Sequence, residues 1–463
     1  MSTGYQYSSP IPLGITLGLL IACGTESKNH GSSEEAPESA VYAAIGEDCC
    51  GEDPHPVHGI EATDGSYILC GKNMDSEGNM DGFIVKVDTS SLAGTVFLEE
   101  GGEHQYSWSQ TFGTDGAFDA ANAVASLQNS ILVVGAQTTN GKAQRSLHKY
   151  NLSSGALIWE ALFQSETSSM ESALESVHIT PNGGAIVAGF VEGEPGAIEG
   201  FKSYGNPVSG QAQVMYFAPE LLENDTPPTT PTWEKTYNLS SIRSIRPVQN
   251  DGFVFVAANE EIDYVVVRID SEGNEQWRSS LNAHGEATDI AVLSDNSGFA
   301  ITGHKGVSGG IDGSVTKIDI EGNIIWRNTY GNPEGGIKEF AGLDAGNPKL
   351  IFDECWGLQA TDTGGAILAC GTGIEGCDEY ETGSAIKTEC ESDPRTKWRG
   401  LLIEIDGNGE QLWYRTDSYY FPEEPNDAAE SASEYVIKTA DGRYASVVDQ
   451  GFGIGLMILN GDQ

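Results

Sequence analysis

The residue types that could do chemistry in this chain are a histidine pair, two glycine-rich motifs and two runs of alternating side-chain oxygens. His55 and His58 stand at H-x-x-H spacing beside Asp53, a set that could ligate a metal ion. No H-E-x-x-H segment accompanies them. Gly371-Thr372-Gly373-Ile374-Glu375-Gly376 has the letters of a pyrophosphate cradle. Such a cradle needs a helix N-terminus behind it, and here an acidic, cysteine-bearing segment follows, which would repel phosphate. Gly306-Val307-Ser308-Gly309-Gly310 has the letters of a nucleophile elbow, but it sits between strand-like segments where the elbow needs strand, turn and helix. Asp406-Gly407-Asn408-Gly409-Glu410 and the set Asp75, Glu77, Asn79 and Asp81 alternate oxygen donors as a calcium loop does, without the full twelve-residue pattern. No cofactor is expected, with calcium possible at the alternating oxygens. No catalytic set emerges, and an enzyme is the less favoured expectation.

Composition narrows the function further. With 68 acidic and 24 basic side chains in 463 residues, the formal charge is −44. Nucleic acid is excluded as a partner, because a phosphate backbone needs a basic footprint. Anionic lipid would be repelled by the protein surface for the same reason. The acidity also suits salty surroundings, where ions screen self-repulsion.

The elements that must position any site are strands. From Asp289 to Tyr330 the chain reads as four short strands: alternation around Ile290 and Val292, then Phe299 to Gly303, Val315 to Asp319, and Ile324 to Tyr330. The tight turn between the first two recurs at Asp64, Asn129, Asn182, Asp251, Asn296, Thr363 and Asp441. Trp108, Trp159, Trp233, Trp277, Trp326 and Trp413 all fall on the fourth strand of such a unit. This period predicts an all-β fold, a seven-bladed β-propeller with four-stranded antiparallel blades, with tryptophans filling the space between neighbouring blades. The last unit ends one strand short, so residues 40–46 are expected to complete the last blade from the N-terminal end. The domain layout expected is 1–22 leader, 23–39 flexible tether and 40–463 propeller.

Strand parity puts the loops after second and fourth strands on one face. The long segments 190–212, 332–352, 372–398 and 415–426 mostly follow those strands, which marks that face for partner binding. Phe201, Tyr204, Tyr419, Tyr420 and Phe421 are its candidate contact residues, set among carboxylates where rings could stack on sugars or hold cations. The partner expected is a protein or a glycan, bound by a monomer. Two disulfides are candidates: Cys377 with Cys390, bracketing an acidic loop, and Cys355 with Cys370 on paired strands. Counting from the turn at Thr363 puts residue 372 opposite Cys355, with Cys370 diagonal to it. Cys49 or Cys50 could reach Cys70, and with Cys23 set aside the seven remaining cysteines leave one thiol over.

Three resemblances extend these readings. Leu20-Ile21-Ala22-Cys23, after the uncharged apolar run from Ile11, resembles the lipobox of bacterial lipoproteins. It implies lipidation at Cys23, anchoring through acyl chains alone, and a place in the bacterial cell envelope, at the outer membrane because Gly24 rather than Asp follows. The n-region carries no Lys or Arg, unlike such leaders. The repeat itself resembles secreted bacterial propeller repeats of the W-x-x-T-[YF]-G, D-G-G-[FY]-[IV]-[IV]-x-G and K-[IVL]-D-x-x-G-N-x-x-W type, over nearly everything from residue 40 onward. Tyr150 to Trp159 resembles the tryptophan-docking repeat of quinoprotein dehydrogenases, which implies a propeller enzyme as the alternative to a binding protein. An envelope assembly scaffold is the other alternative, since propellers host unrelated activities.

Overall fold

The computed structural model describes residues 36–460 apart from 47–48, 51–53, 75–78, 90–93, 97–105, 115, 166, 168–169, 195–208, 249–251, 260–262, 308–309, 333–351, 375–381, 385–386, 389–396, 418, 422–423 and 451–452. The fold is an all-β propeller built of antiparallel hairpins. Four sheets have four strands each, and they begin with the innermost strands His55–Glu61, Ala120–Leu127, Glu171–Ile179 and Ser241–Pro247. A five-stranded sheet runs Ser431–Lys438, Tyr444–Gln450, Gly453–Leu459, Ser39–Gly46 and Gly94–Val96. The chain from Glu286–Val292 to Gln411–Asp417 forms one eight-stranded sheet.

The expectation of seven equal four-stranded blades is thereby corrected. Five blades stand as separate sheets, and the fifth and sixth sequence units are joined through a parallel bridge between Ile311 and Phe352. The reason is physical. Tight-turn residues report where a hairpin folds back, whereas a sheet ends only where an edge strand stops donating and accepting laterally. The final blade likewise has five strands rather than four. Ser39–Gly46 pairs antiparallel with Gly453–Leu459, setting Ala43 opposite Leu456 and Ile45 opposite Ile454, and Gly94–Val96 lies parallel on its other side.

Packing explains why many strands read as continuous apolar runs. Phe253–Ala258 is buried at every position because a sheet in the ring is covered on both faces. Leu132, Val134 and Leu147 of one sheet meet Val177, Val187 and Met215 of the next in a single cluster. Each such interface removes apolar area at about 25 cal/mol per Å².

The outer rim is latched by the periodic tryptophans. Trp108 Nε1 donates to Leu152 O of the following unit at 3.1 Å, and Lys86 Nζ reaches the same carbonyl at 3.2 Å. Trp277 donates to Ile320 O at 3.1 Å. Trp326 and Lys317 share Gly407 O at 3.3 and 2.9 Å. The indole rings lie on turn glycines of the next unit: Gly322, at φ +88, leaves no room for a Cβ beside Trp277. The structure thus joins the repeat signals K-[IVL]-D, G-N and W into one contact between neighbours.

Candidate functional site

The innermost strands face the propeller axis, and each carries a β-bulge at the same place. One residue is skipped between Pro56 and His58, Ala121 and Ala123, Leu174 and Ser176, and Ile242 and Ser244. The same happens between Ala287 and Asp289, Cys355 and Gly357, and Ser433 and Tyr435. A bulge re-aims the extra side chain. The extra residues are Val57, Asn122, Glu175, Arg243, Thr288, Trp356 and Glu434, and all of them line one axial cavity of about 130 Å³. Six of them, Arg243 apart, stand seven residues ahead of a turn residue: Asp64, Asn129, Asn182, Asp295, Thr363 or Asp441. The cavity lies toward the starts of the innermost strands. Those starts follow the loops after fourth strands, so it sits beneath the long-loop face.

Two polar layers fill the axis. In the deeper one Asp289 is the hub. Its Oδ1 accepts from Ser244 Oγ at 2.6 Å, Arg246 Nη2 at 2.7 Å and Ile290 N at 2.8 Å, and its Oδ2 accepts from Leu358 N at 3.2 Å. Arg246 also meets His178 Nε2 at 2.6 Å and crosses the ring to Tyr435 Oη at 3.2 Å. Tyr435 packs against His58 with ring centroids 4.1 Å apart and the planes tilted by 33°. Burial and the Arg246 charge pull His58 down to about 3, so it is a neutral ring at any ordinary pH. Burial, and then Arg246, hold His178 well below its usual value too. One guanidinium therefore ties four innermost strands together and plugs the channel floor.

The upper layer alternates in sign. Arg243 lies between Glu175, at 3.5 Å, and Glu286, at 3.9 Å. His304 Nε2 approaches Glu286 at 3.2 Å. Burial raises Glu175 to about 7 despite Arg243. Burial would lower His304, but the Glu286 hydrogen bond and charge outweigh it and bring it to about 9. Burial would raise Glu286, and His304 and Arg243 more than offset it. The two carboxylates on one guanidinium are thus pushed in opposite directions, Glu175 up by burial and Glu286 down by His304 and Arg243.

The sequence-selected residues divide unevenly. His55 sits at the channel mouth and His58 lies deeper, under Tyr435, so the two rings do not share a ligand position; Asp53 is outside the described residues. Cys23, Phe201, Tyr204, Cys377 and Cys390 also fall outside them. The backbone of Tyr419, Tyr420 and Phe421 forms a short strand paired with Glu424–Ala429. Cys355 and Cys370 form a disulfide, and they are direct partners in the ladder, not diagonal ones as the turn count gave. The hairpin pairs Ala360 with Ala366, which alone would put residue 371 opposite Cys355, and the bulge at Trp356 moves the register one position further to Cys370. Cys49 and Cys50 are bonded to each other, leaving Cys70 as a buried thiol that burial holds strongly protonated. Asp406 spends both carboxylate oxygens on its own turn, accepting from Asn408 N at 2.8 Å, Glu410 N at 2.8 Å and Asn408 Nδ2 at 3.1 Å. Asp270 and Asp319 do the same at their turns, so the alternating oxygens serve the hairpin. The axial charges Arg243, Arg246, Glu175, Glu286, Asp289 and Glu434 escaped the sequence reading. The seven-residue offset from the turn was the signal that could have found the bulge positions.

Comparison with known proteins agrees with the propeller. The PQQ_2 family, described as outer membrane protein assembly factor BamB, matches residues 202–349, less than half of the chain. No curated protein sequence matches. Among solved structures, hydrazine synthase of Kuenenia stuttgartiensis is similar at 11% identity and TM-score 0.52, over 89% of this chain and 98% of that one. BamB from Moraxella catarrhalis is similar at 10% identity and TM-score 0.39, over 88% and 85%. Sqt1 from Chaetomium thermophilum, bound to the N-terminus of ribosomal protein L10, is similar at 11% identity and TM-score 0.43, over 92% and 100%. At such identities the likeness concerns fold alone. The chain is a β-propeller repeat protein. Among the described residues no helix is long and apolar enough to cross a membrane.

Proposed function

We propose that this chain is an envelope lipoprotein, anchored through Cys23, whose propeller is a binding module that takes a protein or glycan partner on its long-loop face. The observation that carries the reading is the axial cavity beneath that face, into which every innermost strand aims one bulged side chain. Its volume, about 130 Å³, suits a single inserted group rather than a whole drug-sized ligand, whose pockets run to roughly 300–1,000 Å³. A partner side chain or sugar substituent would enter there and meet the Arg243, Glu175 and Glu286 charges, while the loops around the mouth supply the wider contact.

The BamB family match favours a second reading, an assembly scaffold in the bacterial envelope, where the same face would hold another envelope protein. Glycan-array binding and site-specific photo-crosslinking test both. Crosslinks or glycan signals that require the long-loop face, and that Arg243→Met weakens at least tenfold, support the binding module. A crosslink to one envelope protein with no glycan signal selects the scaffold reading. Crosslinks only from the opposite face would overturn the proposal. Radiolabelled palmitate incorporation, lost in Cys23→Ala, tests the anchor separately.

A further inference from the structure

At the mouth of the channel, three side chains meet where the two ends of the ring join. His55 opens the innermost strand His55–Glu61, Glu434 is the bulge residue of Ser431–Lys438, and Asp449 lies on Tyr444–Gln450. One ligand atom from each of the three lies within 4.8 Å of the others. His55 Nδ1 is 2.7 Å from Asp449 Oδ2, and His55 Nε2 is 3.8 Å from Glu434 Oε2.

These distances differ in kind. The first is a hydrogen bond. The second is too long for one, and it lies only a few tenths of an ångström beyond the separation of about 3.3–3.6 Å at which a tetrahedral ion with bonds of about 2.0–2.2 Å holds two ligands, so a small side-chain movement would bring both atoms onto one ion. Asp449 does what the carboxylate behind a metal-bound imidazole does: it accepts from Nδ1, fixes the tautomer and turns the Nε2 lone pair toward Glu434. Exposure fits as well. Glu434 is 4% exposed, while His55 and Asp449 are 26% and 27% exposed, which leaves a path for an ion. Lys72 is the nearby opposing charge. It is one positive charge against the two carboxylates, Glu434 and Asp449, that face His55. An imidazole nitrogen beside carboxylate oxygen suits Zn²⁺ and its neighbours rather than Ca²⁺, which takes oxygen alone.

We propose that His55 and Glu434 ligate a divalent first-row transition ion at the channel mouth, with Asp449 orienting His55 and the remaining coordination positions open toward the axial cavity. The site goes beyond the partner-binding reading and stands without it, since the ion is held by this chain alone. It also gives a reason for its place: one residue comes from the first blade and two from the last, so a bound ion would clip the ring where it closes.

The test uses the full chain stripped with chelator and titrated with ZnCl₂ by calorimetry. One saturable equivalent is expected. Glu434→Gln should weaken it at least tenfold, Asp449→Asn about tenfold, and His55→Ala should abolish it, while Glu272→Gln on an exposed turn should leave it unchanged. Co²⁺ in place of Zn²⁺ should give visible absorption bands in the parent chain that Glu434→Gln, which keeps the shape of the residue, loses. Melting curves of each variant identify any that fail to fold. Absence of one saturable equivalent would overturn the site, and so would equal binding by the parent chain and a folded Glu434→Gln. The imidazole would then serve only as a charged clamp between two carboxylates. Failure to find a partner has no bearing on either result.

Discussion

The outer rim and the axis of this propeller use opposite chemistry for the same task. At the rim, neighbours are joined by an indole lying on a glycine and donating to a backbone carbonyl, repeated with little change at Trp108, Trp277 and Trp326. At the axis, neighbours are joined by buried charge, and the equivalent bulges carry mostly different residues: Val57, Asn122, Arg243, Thr288 and Trp356 each occur once, and only glutamate recurs, at Glu175 and Glu434. The rim is a packing solution that any unit can reuse. The axis is individual, and individuality in a repeat is where a specific ligand can be recognised. The comparison also separates costs. A rim contact removed leaves a gap, whereas an axial charge removed leaves its partner buried without compensation.

Four outcomes would sharpen or break this contrast. The largest concerns closure. Deleting residues 36–46 removes the strand between Gly453–Leu459 and Gly94–Val96, and should abolish cooperative unfolding of the whole domain, read by calorimetry. An unchanged melting transition would show that the ring does not depend on this strand. Next, Asp289→Ala should cost about 3–5 kcal/mol in denaturant unfolding, because Arg246 loses its buried partner. If a rim substitution such as Gly322→Ala, expected to cost about 1–2 kcal/mol because alanine would be held at positive φ against Trp277, proved more costly than Asp289→Ala, the contrast would fail. Third, serine at both Cys355 and Cys370 opens a crosslink of sequence separation 15 and should cost about 3 kcal/mol.

The smallest effect is one of pH. His304 is raised to about 9 from an ordinary 6.5, so its contribution is complete below pH 6.5 and is lost as pH rises through 9. His304→Gln should therefore flatten the alkaline limb of the stability profile. His58, lowered to about 3, acts in the other direction: the unfolded chain takes up its proton first, so stability falls as pH drops below 6.5 toward 3. His304→Gln should leave that acid limb in place.

The two regions were also unequally legible in the sequence. The rim could be read because its residues are rare and periodic: six tryptophans at one position, four of them (Trp159, Trp277, Trp326 and Trp413) preceded by an Asp/Asn- and Gly-bearing turn, announce hairpins and their contacts. The blade count could not be read the same way. Hairpins are local, whereas the Ile311–Phe352 bridge that merges two units depends on where two edges happen to meet. The channel was hidden for another reason. A bulge leaves no residue type of its own, only an extra position in the register, so Arg243 or Glu434 reads as an outward polar residue of an alternating strand until the pairing is known. A bulge of this kind at Trp356 supplied half of the two-position error in pairing Cys355 with Cys370, and the exact centre of the turn supplied the rest. His55 was legible as a candidate ligand, but its partners Glu434 and Asp449 lie some 380 positions along the chain.

The seam carries one more consequence. Asn460 N donates to Glu38 O at 2.8 Å, so the described chain enters and leaves the propeller side by side. A short linker across that gap, with new termini opened at an exposed turn such as Asp270 to Asn274, would keep every ladder intact while converting the seam into an ordinary hairpin. A circular permutant of this kind should fold, and it would separate the mechanical role of the seam from the chemistry gathered at its edge.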